Sequence, residues 1–142
     1  MFKYEITYKD FDDVEVTETL YFHMTEAELM EMELANDGIQ RRYERAMESK
    51  DGYSIAQMMK DLILRSYGEK TPDGKHFIKT DEIRDSFKAS EAYSKFYLTL
   101  IQDEKLAAEF VRKIIPSDLA ARSEQAMKEQ NKLPQGEAIK AQ

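Results

Sequence analysis

The chain has 142 residues, 42% of them hydrophobic and 35% charged, with a formal net charge of −7 and neither cysteine nor tryptophan. That length suits one ordinary domain, and the missing cysteine excludes disulfides, thiolate nucleophiles and cysteine-ligated zinc or iron–sulfur centres. No apolar run approaches the ~18–20 residues of a membrane span, and no signal-peptide core is expected at the N-terminus.

The charge imbalance is confined to the first third. Residues 1–50 hold six Lys or Arg against thirteen Asp or Glu, whereas residues 51–142 hold fifteen of each. An acidic front end opposes binding to a phosphate backbone or an anionic membrane, so neither nucleic acid nor membrane is expected as a partner. It suits solubility or a basic protein partner.

In chain order, residues 2–8 alternate, with Phe2, Tyr4, Ile6 and Tyr8 on one face and Lys3, Glu5 and Thr7 on the other. Residues 14–23 alternate again, Val14, Val16, Leu20 and Phe22 lying opposite Glu15, Thr17, Thr19 and His23. Period-two patterning with aromatic and β-branched residues predicts strands, and Asp10, Asp12 and Asp13 supply turn chemistry between them. The result is a β-hairpin over residues 2–23. A hairpin alone is marginal in water, so its apolar face must pack on the segments C-terminal to it.

Those segments are helical. Thr25 and Glu28 have capping-box spacing ahead of a stripe of Ala27, Met30 and Leu34. Asn36-Asp37-Gly38 interrupts it, with glycine suited to a left-handed cap. Ile39, Tyr43, Ala46 and Met47 form a second stripe. After Asp51-Gly52, Ser54 and Gln57 read as another capping box opening a stripe of Ile55, Met58, Met59, Leu62 and Ile63.

Residues 68–80 show no helical period and contain Pro72, Gly68 and Gly74, which predicts a loop of about a dozen residues pinned by Phe77 and Ile78. Helices resume with Ile83 and Phe87, then with Ala92, Tyr93, Phe96, Tyr97, Leu100 and Ile101, and then with Leu106, Ala107, Phe110, Val111 and Ile114, before Pro116. The fold class is α+β, mainly α: an N-terminal hairpin packed on about six short helices. Residues 1–116 form one domain, with helices over 25–116, and residues 117–142 form a weakly helical to disordered extension poor in apolar side chains.

No motif in the sequence carries catalytic or metal-binding chemistry. His23 and His76 have no i, i+4 partner and read as ordinary strand-end and loop residues. The run from Asp10 lacks the glycine and terminal glutamate of a calcium loop, since those places hold Glu15 and Tyr21. Gly68-Glu69-Lys70-Thr71 lacks the spacing of a phosphate loop, and no serine sits in a nucleophile elbow. No enzyme activity, cofactor or metal is expected. Lys70, Lys75 and Lys79, with His76, make a small basic loop patch. Phe87, Tyr93, Phe96, Tyr97 and Leu100 cover more than one helix face, which suits either core or a protein-interaction surface. The eight methionines add adaptable apolar surface.

Ser66-Tyr67-Gly68-Glu69-Lys70, Pro72-Asp73-Gly74-Lys75-His76-Phe77-Ile78-Lys79, Phe87, Glu91-Ala92-Tyr93, Leu100, Asp103 through Phe110, and Ile114-Ile115-Pro116 occur in an order and spacing that resemble one family across residues 54–116. That family is the tail assembly chaperones of long-tailed phages, and their prophage copies, that infect Gram-positive bacteria. The resemblance implies a protein that coats the tape-measure protein, keeps it soluble, recruits tail-tube subunits, works in the host cytoplasm and is absent from the finished virion. It also leaves room for self-association and for a longer frameshifted form. The expected mechanism is burial of apolar client helices in a groove, repeated along an extended client. The alternatives are a structural tail or connector protein retained in the virion, or a phage regulator that binds a host protein through the acidic front.

Overall fold

A computed structural model of the chain describes residues 1–35, 38–116 and 118–132. Strands β1 (Phe2–Lys9) and β2 (Glu15–Phe22) form the expected antiparallel hairpin, with Phe2 opposite Phe22 and Lys9 opposite Glu15. The Asp10 carboxylate accepts from the Asp12 and Val14 amides at 2.8 and 3.0 Å, and Asp13 takes the left-handed conformation that closes the turn. Helices α1 (Glu26–Leu34), α2 (Ile39–Ser49) and α3 (Gly52–Ser66) come next, then strands β3 (Tyr67–Lys70) and β4 (Phe77–Ile78). Helices α4 (Asp81–Lys88), α5 (Glu91–Gln102), α6 (Glu104–Ile114) and α7 (Leu119–Lys132) complete the described chain.

The predicted loop over residues 68–80 is instead a second hairpin. β3 pairs antiparallel with β2, placing Gly68 opposite Tyr21, and with β4, placing Lys70 opposite Phe77, so the sheet has four strands in the order β1-β2-β3-β4. Asp73-Gly74 supplies the turn. Gly74 sits at φ 75°, and Asp73 Oδ1 accepts from the Thr71 hydroxyl at 2.6 Å and the Lys75 amide at 3.0 Å. Phe77 packs against this hairpin, but Ile78 is 42% exposed and pins nothing. At the sheet's outer edge, the Lys95 ammonium donates to the Thr7 carbonyl. An amine there blunts an edge otherwise open to further strand pairing.

Side-chain caps open α1, α3, α4, α5 and α6. The Thr25 capping box is present: Thr25 Oγ1 accepts from the Glu28 amide at 3.2 Å, and Glu28 Oε1 accepts from the Thr25 amide at 2.9 Å. Thr80, Ser90 and Asp103 cap α4, α5 and α6. The expected box at Ser54 is overturned. α3 begins earlier, capped by Asp51, and the Ser54 hydroxyl donates to Asp51 Oδ2 at 2.8 Å rather than starting a helix. The α1 stripe also shifts: Leu29 is buried and Met32 half-buried, while Ala27 and Leu34 are exposed. Gly38 takes a positive φ, but as the N-cap of α2; Asn36 and Asp37 lie outside the described residues. The extension expected from residue 117 begins with α7, which packs on α1 and buries Leu119; residues 133–142 lie outside the described residues.

The core lies between the hairpin and α5 and α6. The Phe22 ring stacks on Phe96 at 4.7 Å and meets Phe110 edge-on at 5.5 Å, while Phe2 meets Phe110 edge-on at 5.2 Å. Leu62, Ile63, Leu100 and Ile114 close it from the helical side. Aromatic pairs in these geometries add about 0.5–1.5 kcal/mol each beyond area burial.

Candidate functional site

The expected interaction residues divide between core and margin. Phe87, Phe96 and Leu100 are buried, so their side chains belong to the core. Phe87 stacks on Tyr67 at 3.7 Å, and Phe96 joins the Phe22 cluster. Tyr93 and Tyr97 are half-buried at the core's edge, their rings 6.0 Å apart. Burial raises the Tyr93 phenol pKa above its ordinary value, the neighbouring Tyr97 adding to the effect.

The basic patch also separates. Lys75 is exposed, and the Lys70 ammonium donates to the Thr71 carbonyl at 3.2 Å. Lys79 leaves the patch altogether. Its ammonium pairs with Glu28 Oε2 at 2.7 Å and donates to the His23 carbonyl at 3.0 Å. It is a brace between the β4–α4 connection, the end of β2 and the first turn of α1. Gly68 makes room for it: a Cβ there would lie 2.7 Å from both Lys79 Cγ and the Phe77 ring. His23 is not an ordinary exposed histidine either. Its ring is half-buried and meets Phe77 edge-on at 6.2 Å, and among the described residues its buried Nδ1 has no hydrogen-bond partner. Burial lowers its pKa, helped by the N-terminal ammonium and Lys79, with Glu28 pulling the other way.

The feature suited to binding lies elsewhere, among four helices. A cavity of about 510 Å³ opens between α2, α3, α5 and α6, lined by Tyr43, Met47, Ile55, Met59, Ile101 and Ala108 together with other apolar residues, and by Glu104. A second cavity of about 240 Å³ shares Tyr43, Ala108 and Val111 with the first and extends it toward Ile115 and Pro116. Together they make one apolar groove running along α6. Its floor uses the α6 residues Ala107, Ala108 and Val111, small enough for a docked helix to approach closely. Met47 and Ile101, large apolar side chains left 45% and 39% exposed, stand at its walls. Leu100 contributes to this lining from beneath, the one point where the expected surface meets the groove. Among the described residues no group of acidic or histidine side chains is arranged to hold a metal ion, and no helix is long and apolar enough to cross a membrane.

A family model described as phage tail assembly chaperone matches residues 1–142. No curated protein and no solved structure matches the chain.

Proposed function

We propose that this chain, which belongs to the phage tail assembly chaperone family, holds apolar helical segments of the tape-measure protein in the groove between α2, α3, α5 and α6. The observation that supports the reading is the groove itself. It is apolar, open along its length, floored by small side chains and walled by methionine, tyrosine and isoleucine. Helix-in-groove docking uses such surfaces, and methionine lets the wall fit varied client stripes. Each contact is weak, and many copies on one extended client gain avidity. Recruitment of tail-tube subunits follows from bound chaperones presenting their outer surfaces, among which the half-buried Tyr93 and Tyr97 offer aromatic area with polar tips. The work takes place in the host cytoplasm during assembly.

Co-expression with the tape-measure protein tests this. The native chain is expected to keep that protein soluble and co-purify with it. Met47→Asp, which places a charge in the wall without touching the buried core, is expected to abolish both effects. A tape-measure protein equally soluble with the variant would overturn the groove assignment. Mass spectrometry of purified particles is expected to find the chaperone missing; its presence there would favour a structural tail component.

A further inference from the structure

The groove has polarity as well as shape. Along α6 the lining runs Glu104, Ala107, Ala108, Val111 and Arg112, a single helical stripe with opposite charges at its two ends. Eight residues at a 1.5 Å rise place those charges about 12 Å apart along the axis. Among the described residues neither Glu104 nor Arg112 has an ion-pair partner, whereas the adjacent Glu109 and Lys113 pair with one another at 3.7 Å. Among the described residues, Glu104 is the one charged residue lining the larger cavity. The smaller cavity carries both signs, because Glu44, which accepts from the Gln40 side-chain amide at 3.1 Å, lines it along with Arg112. The discriminating charge is therefore Glu104.

We infer that the groove selects direction: the client helix docks antiparallel to α6, with a Lys or Arg of its last turn over Glu104. This rests on the groove reading above and adds to it the chemistry of the occupant. Helices carry basic residues favourably in the last turn and acidic ones in the first, because these full charges oppose the backbone dipole's partial negative end at the C-terminus and partial positive end at the N-terminus. Only an antiparallel helix of that kind brings its basic end to Glu104 and its acidic end to Arg112. A parallel one sets carboxylate against carboxylate at the larger cavity.

Two synthetic peptides of identical composition test this, both with a Leu/Ala stripe at helical spacing. One carries Glu in the first turn and Lys in the last; the other has these ends exchanged. Affinities for the full-length chain are measured by fluorescence anisotropy and expressed as a ratio. Comparing that ratio between protein variants cancels the difference in the peptides' own helicity. Glu104→Gln is expected to reduce the preference for the Lys-ended peptide by about two- to fivefold, the range of a solvent-exposed ion pair. Glu104→Lys is expected to reduce it further, and added salt to narrow the difference between variants. A ratio unchanged in Glu104→Gln and Glu104→Lys, with binding still abolished by Met47→Asp, would overturn the directional inference alone. Binding of neither peptide to the native chain, or binding indifferent to Met47→Asp, would overturn the groove reading and this inference with it.

Discussion

Lys79→Met isolates the brace that ties the second hairpin to α1. Methionine keeps an apolar stem against Gly68 and Phe77 and removes the charge. Besides a weak hydrogen bond to Met24 Sδ at 3.5 Å, two interactions are lost. The first is the hydrogen bond to the His23 carbonyl at 3.0 Å, donated by an ammonium whose side chain is only 10% exposed. Hydrogen bonds involving a charged group contribute about 1.5–3 kcal/mol. The second is the ion pair with Glu28, which is 37% exposed, so solvent screening holds its share to about 0–1 kcal/mol. The expected loss is about 2–3 kcal/mol, most of it from the hydrogen bond to the carbonyl. Urea unfolding with a double-mutant cycle reads both parts. Glu28→Gln retains an oxygen for the Thr25 amide, so the Lys79–Glu28 coupling should stay under about 1 kcal/mol. A total cost under about 1 kcal/mol at unchanged m-value would refute the brace, and a coupling as large as the total would refute the division.

Gly68→Ala brings a Cβ to 2.7 Å from Lys79 Cγ and the Phe77 ring, so both side chains must shift; thermal or urea unfolding should show a loss of about 1–3 kcal/mol. His23 has its pKa lowered from 6.5 by burial, so the unfolded chain binds the proton more readily; stability is full above pH 6.5 and falls as pH drops below it. Burial pushes the Glu28 carboxyl up, but bonds from Lys79 and Thr25 outweigh it and hold the group below 4.5, adding a second loss as pH falls through the folded-state value. His23→Phe, which keeps a ring against Phe77, should flatten the first decline and leave the second; an unaltered profile in pH-dependent urea unfolding would show that His23 does not carry it.

The first hairpin was legible because eight-residue strands with one buried face display their period. Phe2, Ile6, Leu20 and Phe22 mark the inward face before any tertiary information enters. β3 and β4 were not, because four and two residues are too few to alternate visibly and their pairing is decided by contact with β2. Asp73-Gly74 was the available local signal for that turn. The two-sided aromatic pattern of α5 misled for a different reason. A helix covered by the sheet on one side and by α3, α4 and α6 on others needs apolar residues around much of its circumference, so Phe96 and Leu100 serve the core. The groove leaves little local signature, since four helices supply its lining. The adjacent Ala107 and Ala108, small residues on an otherwise bulky stripe, are its only trace within one segment.

The two sides of the groove differ in how firmly they are held, and that difference gives its wall freedom to adjust. α6 buries Phe110, Val111 and Ile114, and α5 buries Ala92, Phe96 and Leu100, all joined to the aromatic cluster beneath the sheet. α2 buries Ile39, with Tyr43 and Ala46 only half-covered, and its neighbour α1 buries Leu29. A fully buried side chain of this size contributes about 1.5–3 kcal/mol, so α2 opens at lower cost than α6 by about the worth of one such side chain or more. Since about 1.4 kcal/mol is a factor of ten, α2 amides should exchange hydrogen at least about tenfold faster than α6 amides. A client helix would then widen the groove by moving α2 while the floor on α6 stays in place, and binding should slow exchange chiefly in α2. Equal protection of α2 and α6 in the free protein would remove the adjustable wall and require a client that fits the groove as it stands.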